Sequence, residues 1–352
     1  MKKIILTGGG TAGHVMPNVA LLPALKRAGF EVVYIGGVNG MEKDIIARTG
    51  VKYYSVSAGK LRRYIDVENI KDIFRVIKGV GDAYGIIKKE KPDVIFSKGG
   101  FVAAPVVISG RLLKTPVIIH ESDIIPGLAN KISMPFAEKV CVSFPETLKR
   151  VGGKGILTGP PIRGELLRGD RERGLKLCGF GGAKPVALIM GGSLGSVSVN
   201  KTVWKALDIL TAKYDAVHIC GRDNLKDAPT RLGYKPFGYV SDEMADIMAA
   251  ADVVASRAGA NSIFELLALK KPHVLIPLSK NASRGDQILN AASFETQGFS
   301  VVLQEESIEC LYDKLDEVYR RRSQFIRNMS ESGLMDGVSG VMSVIQSRVN
   351  AD

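Results

Sequence analysis

A chain of 352 residues exceeds what one hydrophobic core usually serves, so two domains are expected. With 45% hydrophobic and 24% charged residues it is of ordinary globular composition, and no apolar run approaches the ~20 residues of a membrane-spanning helix. The formal charge of +12 suits phosphorylated substrates or an anionic membrane surface better than nucleic acid: with one Trp there is no aromatic–arginine motif, zinc finger or recognition helix.

The N-terminus, "MKKIILTGGG", passes from Met directly into a strand and glycines, without the apolar stretch of a signal peptide, so a cytoplasmic protein is expected. Candidate strands follow at residues 4–6, 32–35, 94–96, 117–120 and 139–142, then at 186–190, 216–220, 252–255 and 273–276, alternating with helical patterns. That alternation predicts parallel sheets covered by helices on both faces. "KPVALIMGGSLGSVSVNKTVWKAL" repeats the strand, glycine turn and helix of the opening, which argues for two similar doubly wound domains. The paired prolines of "LTGPPIRGEL" mark the hinge, giving domains of residues 1–160 and 161–336; which of them the final helix, 337–352, packs on is left open. Cys141, Cys178, Cys220 and Cys310 lie far apart and read as reduced thiols. No His, Cys and carboxylate cluster has metal-ligand spacing.

Three glycine turns close predicted strands: Gly8–Gly13, Lys98–Gly100 and Gly191–Gly195. Glycines there let the backbone approach a ligand and aim helix N–H groups at an anion. Gly8, Gly10 and Gly13 fit a dinucleotide fingerprint, but the second strand ends "VVYIGGVNG", with glycines where the ribose-binding acid belongs. A nicotinamide enzyme is therefore not expected. The most specific stretch is "SRAGANSIFELLALKKPHVLIPLSKNASRGDQILNAASF": a glycine turn opens a helix carrying Glu265, and a polar loop with Arg284, Asp286 and Gln287 opens another. A carboxylate one turn into a helix can accept from a ribose diol while the helix N-terminus faces a diphosphate.

With "GGGTAGHVMP", "SKGGFVAAP", "IIHESDIIPGLANK", "GPPIR" and "GGSLGSVSVN", that stretch closely resembles the MurG family, in family order from residue 7 to about 300. These are the UDP-N-acetylglucosamine:undecaprenyl-diphospho-muramoylpentapeptide N-acetylglucosaminyltransferases of bacterial peptidoglycan synthesis. The resemblance implies the GT-B architecture, two Rossmann-like doubly wound α/β domains with parallel sheets facing an interdomain cleft. Its N-terminal domain takes the lipid-linked acceptor and meets the membrane, and its C-terminal domain takes UDP-GlcNAc. Donor contacts are implied for Arg163, Ser193, Gly195, Asn200, Val240, Met244, Arg257, Glu265 and Gln287, with Glu265 on the ribose, Gln287 on the sugar and Ser193 near the diphosphate. Thr11 and Gly13 join that set, although Thr11 also matches the acceptor turn; Gly10, His14, Gly99, Gly100 and Asn130 fall on the acceptor side. The chain departs from the pattern at Ala12, where Gly is common, at Phe101, where Tyr is common, and at Ser122 and Asp123, where family members carry Gln and Asn.

The implied reaction moves N-acetylglucosamine from UDP to the 4-hydroxyl of N-acetylmuramic acid in lipid I, with inversion, giving lipid II for cell-wall growth and division. It needs a base for that hydroxyl and stabilisation of the departing diphosphate, but no metal or other cofactor. His14 at the mouth of the first helix is the favoured base, with Asp123 and Glu121 as alternatives. Lipid I places the enzyme peripherally on the cytoplasmic face of the cell membrane, where contacts with other cell-wall synthesis and division proteins are expected. Within "SAGKLRRYIDVENIKDIFRVIKGVGDAYGIIKK", Arg62, Arg63, Lys71 and Arg75 flank an apolar stripe that includes Phe74 and Ile77, a pattern suited to anionic lipid. Other GT-B enzymes, such as a glycolipid glycosyltransferase or a UDP-GlcNAc 2-epimerase, share the nucleotide site. A non-catalytic nucleotide-sugar-binding scaffold is the alternative from another class. "GGGTAGHVMP" and "HESDIIPGLANK" favour lipid I as acceptor, and the retention of His14, Ser193, Glu265 and Gln287 together favours an enzyme.

Overall fold

The computed structural model describes residues 2–59, 67–192, 195–279, 285–333 and 336–350, with the side chains of 67–73 left aside. The chain forms two compact units, Met1–Arg163 with Leu334–Asp352, and Gly164–Gly333.

The first unit holds β1 (Lys2–Thr7), β2 (Phe30–Gly37), β3 (Lys52–Val56), β4 (Val94–Ser97), β5 (Val117–Glu121), β6 (Lys139–Val142) and β7 (Gly155–Leu157). They form one parallel sheet in the order β3-β2-β1-β4-β5-β6-β7. Its inner strands are largely apolar runs because both faces are covered. Successive side chains point oppositely, so Ile4, Leu6, Phe96 and Ile118 enter one core while Ile5, Ile95, Ile119 and Val140 enter the other. Helices Ala12–Arg27 and Gly337–Val349 cover the first face, with Leu21 and Leu25 sharing the core of Val341 and Ile345. The last helix thus belongs to the N-terminal sheet. Glycines bring it in: a Cβ on Gly337 would stand 2.0 Å from the Pro160 carbonyl oxygen. Helices Val67–Glu90 and Ala103–Leu112 cover the other face.

The second unit holds β8 (Val186–Met190), β9 (Asp215–Ile219), β10 (Tyr234–Phe237), β11 (Val253–Arg257), β12 (His273–Ile276) and β13 (Ser300–Val302). They are parallel in the order β10-β9-β8-β11-β12-β13. In each sheet the strand order reverses once, between β1 and β4 and between β8 and β11. Ligands of open α/β sheets bind beyond the carboxyl ends of the strands at such a reversal.

Candidate active site

At the first reversal the turns after β1 and β4 pack backbone on backbone. Gly100 has φ +87°, and a Cβ there would lie 2.2 Å from the Gly9 carbonyl oxygen; one on Gly8 would lie 2.5 Å from that of His14. His14 sits in the first turn of helix Ala12–Arg27, its backbone N–H bonded to Thr11 O. Its Nδ1 stands 3.2 Å from Gly9 O and 3.0 Å from Thr11 Oγ1. A carbonyl oxygen only accepts, so the proton of the neutral ring belongs on Nδ1 and Nε2 keeps its lone pair. That is the tautomer a base requires.

The acid missing from the second strand arrives from elsewhere. Glu42, 1% exposed, opens the short helix Glu42–Ala47 and reaches back to the first turn. Its Oε1 accepts from Gly37 N–H at 2.9 Å and its Oε2 from Gly10 N–H at 3.2 Å. The glycines after β2 make room for it: a Cβ on Gly40 would meet Oε1 at 2.0 Å. Tyr34 and Tyr53 stack beneath, donating to Gly8 O and Gly37 O. Sequence reasoning missed Glu42; its signal was the glycine spacing itself. A carboxylate buried among backbone donors cannot hold a ribose, so the nicotinamide reading stays excluded.

The turn after β5 carries the next group. Glu121 is buried, its Oε1 accepting from Asp123 N–H and its Oε2 from Gly127 N–H and Asn130 Nδ2. Asn130 is also buried, donates to His120 O, and sets its amide against Gly99, where φ is +92°. Glu121 thus shapes the loop through three accepted bonds, and Asn130 braces that loop from within. Lys98, whose ammonium donates to Ser122 Oγ, is wholly buried, and burial pushes its pKa down to about 8. His120 lies below its ordinary range through burial and the charge of Lys98, and it contacts Gly159 O through Nε2 at 3.0 Å.

At the second reversal, Gly195 (φ +80°) lets the turn after β8 pass the Cys220 carbonyl oxygen, which a Cβ would approach to 2.0 Å. Ser196 caps helix Val197–Lys205, and on that helix Asn200 donates to Cys220 O at 2.8 Å. Arg257, at the end of β11, donates to Ser196 Oγ at 2.7 Å and to Glu305 Oε1 at 2.5 Å. Arg257 and Asn200, both buried, brace the glycine turn. Glu265 is half-buried on helix Ala260–Ala268, which opens directly beyond β11, and Gln287 begins helix Asp286–Thr296 with its Oε1 accepting from Leu278 N–H. Val240 is buried, Met244 opens helix Met244–Ala250, and exposed Tyr239 beside them is stacked by Arg222 at 4.7 Å. Arg163 is half-buried at the end of the first unit. Ser193, Arg62 and Arg63 lie outside the described residues, as does the side chain of Lys71. Among the described residues no group of three or more His, Cys, Asp or Glu is placed to hold a metal ion.

Two doubly wound units, each with a glycine turn at its strand reversal, define an α/β protein of the GT-B glycosyltransferase class. The model of the glycosyltransferase family 28 N-terminal domain matches residues 4–142 and that of the C-terminal domain residues 186–343. The chain belongs to glycosyltransferase family 28 and, within it, to the MurG family. It is 56% identical over 350 residues to the UDP-N-acetylglucosamine–N-acetylmuramyl-(pentapeptide) pyrophosphoryl-undecaprenol N-acetylglucosamine transferase of Clostridium botulinum strain Langeland, covering 98% of this chain and 99% of that one. The enzyme of the same name from Clostridium tetani is 54% identical, covering 98% of each chain. Among solved structures, Acinetobacter baumannii MurG superposes with a TM-score of 0.77 at 24% identity, covering 99% of this chain and 100% of that one. A putative UDP-N-acetylglucosamine 2-epimerase from Listeria monocytogenes shares the fold, with a TM-score of 0.73 at 10% identity over 100% and 98% of the two chains.

Proposed function

We propose that this enzyme transfers N-acetylglucosamine from UDP-GlcNAc to the 4-hydroxyl of the muramoyl sugar in lipid I, forming lipid II. The observation that carries the reading is the full-length 56% identity to a transferase of that name. His14, Glu265 and Gln287 support it, each lying on the helix that follows a strand of its sheet, β1, β11 and β12 respectively. The second unit holds the donor: Glu265 accepts from the ribose diol, Gln287 contacts the sugar, and the turn braced by Arg257 and Asn200 presents N–H groups to the diphosphate. The first unit holds the acceptor at the turns containing Gly10, Gly99 and Gly100.

In the transfer, the acceptor oxygen attacks the anomeric carbon from the face opposite UDP. The carbon–oxygen bond to the β-phosphate breaks, its electron pair leaves with UDP, and the hydroxyl proton passes to His14 Nε2. The α-linked donor gives a β-linked product in one displacement. Charge on the departing diphosphate is met by backbone N–H groups, the dipole of helix Val197–Lys205 and Arg163, which act without a metal. An acceptor analogue lacking the muramoyl 4-hydroxyl tests the assignment: it should give no disaccharide, and a disaccharide formed from it overturns the regiochemistry.

The membrane contact belongs to the first unit. Phe74 and Ile77, 68% and 62% exposed, stand on helix Val67–Glu90 beside exposed Arg75 and Lys78, while Ala83 and Ile87 anchor its later turns in the core. An apolar pair among cations suits peripheral attachment to anionic lipid on the cytoplasmic face. Among the described residues no helix is long and apolar enough to cross a membrane.

A further inference from the structure

Trp204, Tyr234 and His218 form a hydrogen-bonded triad in the second unit that the transfer as written does not use. Trp204 lies in the last turn of helix Val197–Lys205, His218 on β9 and Tyr234 at the start of β10. The Tyr234 hydroxyl stands 2.9 Å from Trp204 Nε1 and 2.9 Å from His218 Nδ1. An indole N–H only donates, so the Tyr234 oxygen accepts from Trp204 and its own proton goes to the lone pair of His218 Nδ1. With the imidazole proton on Nδ1 instead, the phenol would receive two donors and its own proton would lose this acceptor. His218 is wholly buried, and burial keeps its ring neutral, so that lone pair stays in place. Among the described residues His218 Nε2 has no hydrogen-bond partner, so the ring is oriented by its bond to Tyr234. Bonds of this kind, buried between strands and a helix, fix one arrangement where apolar packing alone leaves several.

The helix that Trp204 anchors carries the glycine turn after β8 at its other end. Ser196 caps it, about 12 Å of helical rise before Trp204. A Cβ on Gly191 would lie 2.6 Å from Ser196 N, so the turn follows any shift of the cap. The bonds of Arg257 to Ser196 and of Ser198 to Glu305 hold the first turn of the helix, and that of Asn200 to Cys220 O holds the second. In the last turn, among the described residues, the directional side-chain contact is the Trp204 bond to Tyr234; buried Val203 beside it packs without one. We propose that Tyr234 is a positioning residue for the donor diphosphate: its hydroxyl, bonded to His218 and Trp204, sets the tilt and axial position of helix Val197–Lys205, and so the aim of its N-terminal N–H groups. The inference rests on the reading of the second unit as the donor's. A misplacement of about 1 Å from a change remote from the chemistry can cost on the order of 100-fold in rate, so a remote anchor has a measurable effect.

The test uses Tyr234→Phe, Trp204→Phe and the double variant of the full-length enzyme, with UDP binding measured by calorimetry and turnover with UDP-GlcNAc and a lipid I analogue. Tyr234→Phe keeps the ring and removes the hydroxyl. It should weaken UDP binding and lower donor kcat/KM, each by about five- to tenfold, while the acceptor KM stays within about twofold. Trp204→Phe should do the same, and the double variant should lose no more than the worse single one, because both changes break the same bond. A merely structural role would lower the melting temperature or the yield of folded enzyme and leave the UDP affinity of the folded fraction unchanged; that result overturns the proposal, as does a double variant whose loss is the product of the two single losses. Should Tyr234→Phe fail to fold, Trp204→Phe decides, since it keeps the bond between Tyr234 and His218. A wild-type enzyme that binds UDP but makes no disaccharide sinks the functional reading alone, and the UDP affinities of the variants still decide this one. A wild-type enzyme that does not bind UDP sinks both.

Discussion

Removing the Glu42 carboxylate perturbs the first glycine turn without touching any substrate. Glu42 accepts from Gly37 N–H at 2.9 Å and from Gly10 N–H at 3.2 Å, and it is 1% exposed. Glu42→Ala leaves both donors without that acceptor, at about 1–3 kcal/mol each, or about 2–6 kcal/mol together. Water entering the polar space returns part of this, so the expected net loss is about 2–4 kcal/mol. For a unit of this size that lowers Tm by about 5–15 °C. Circular dichroism melts measure the loss, and steady-state kinetics should show a raised acceptor KM with the donor KM unchanged, because the turn carrying His14 loosens. Glu42→Gln retains one accepting oxygen but turns an NH2 toward an N–H, so it should fall between wild type and Glu42→Ala. Gly40→Ala attacks the same contact from the other side, its Cβ meeting Glu42 Oε1 at 2.0 Å. A Glu42→Ala protein melting within about 2 °C of wild type would refute the cradle as a stabilising device.

His14→Ala should lower kcat about 100-fold or more with little change in acceptor KM; a variant that raises only that KM makes His14 a binding residue. Arg257→Met removes the bonds to Ser196 and Glu305, should destabilise the second unit by about 3–5 kcal/mol and should raise the donor KM, measured by melts and kinetics. Adding Glu305→Gln should cost less than the sum of the two single changes. His218 and His273 are held by burial at about 4, below the unfolded value of 6.5, so the unfolded chain binds more protons between those limits. Stability of the second unit is therefore full above pH 6.5 and falls toward pH 4, by at most about 1.4 kcal/mol per pH unit for each histidine, and a melt series insensitive to pH there would contradict it. Phe74→Asp with Ile77→Asp should reduce flotation with anionic vesicles about tenfold, with indifference to the change counting against this helix as the membrane contact.

Most of the architecture was legible because strands buried on both faces read as unbroken apolar runs. The four strands that escaped, β3, β7, β10 and β13, are the edges of the two sheets. An edge strand is half-covered, as in Lys-Tyr-Tyr-Ser-Val of β3, so its pattern mixes polar with apolar residues. The final helix was visible in the sequence, but its place on the N-terminal sheet depends on Gly337 and Gly340 meeting the Pro160 and Thr158 carbonyls, contacts that no local pattern encodes. Motif matching located the turns and named residues within them. It could not show that Asn130, Asn200 and Arg257 also brace those turns, because their bonds to Glu121, Cys220 O and Glu305 are set by the fold and not by a local pattern. Glu42 was passed over for the same reason, since it acts on a turn that another strand supplies.

The central claim is transfer of an intact sugar between two substrates. Incubation with UDP-GlcNAc labelled in the sugar and a lipid I analogue in anionic vesicles tests it most directly. The account predicts a lipid-linked disaccharide with a β linkage, formed in equal amount with UDP and only when the acceptor is present. Label recovered as an epimerised nucleotide sugar, or UDP released without disaccharide, would contradict it.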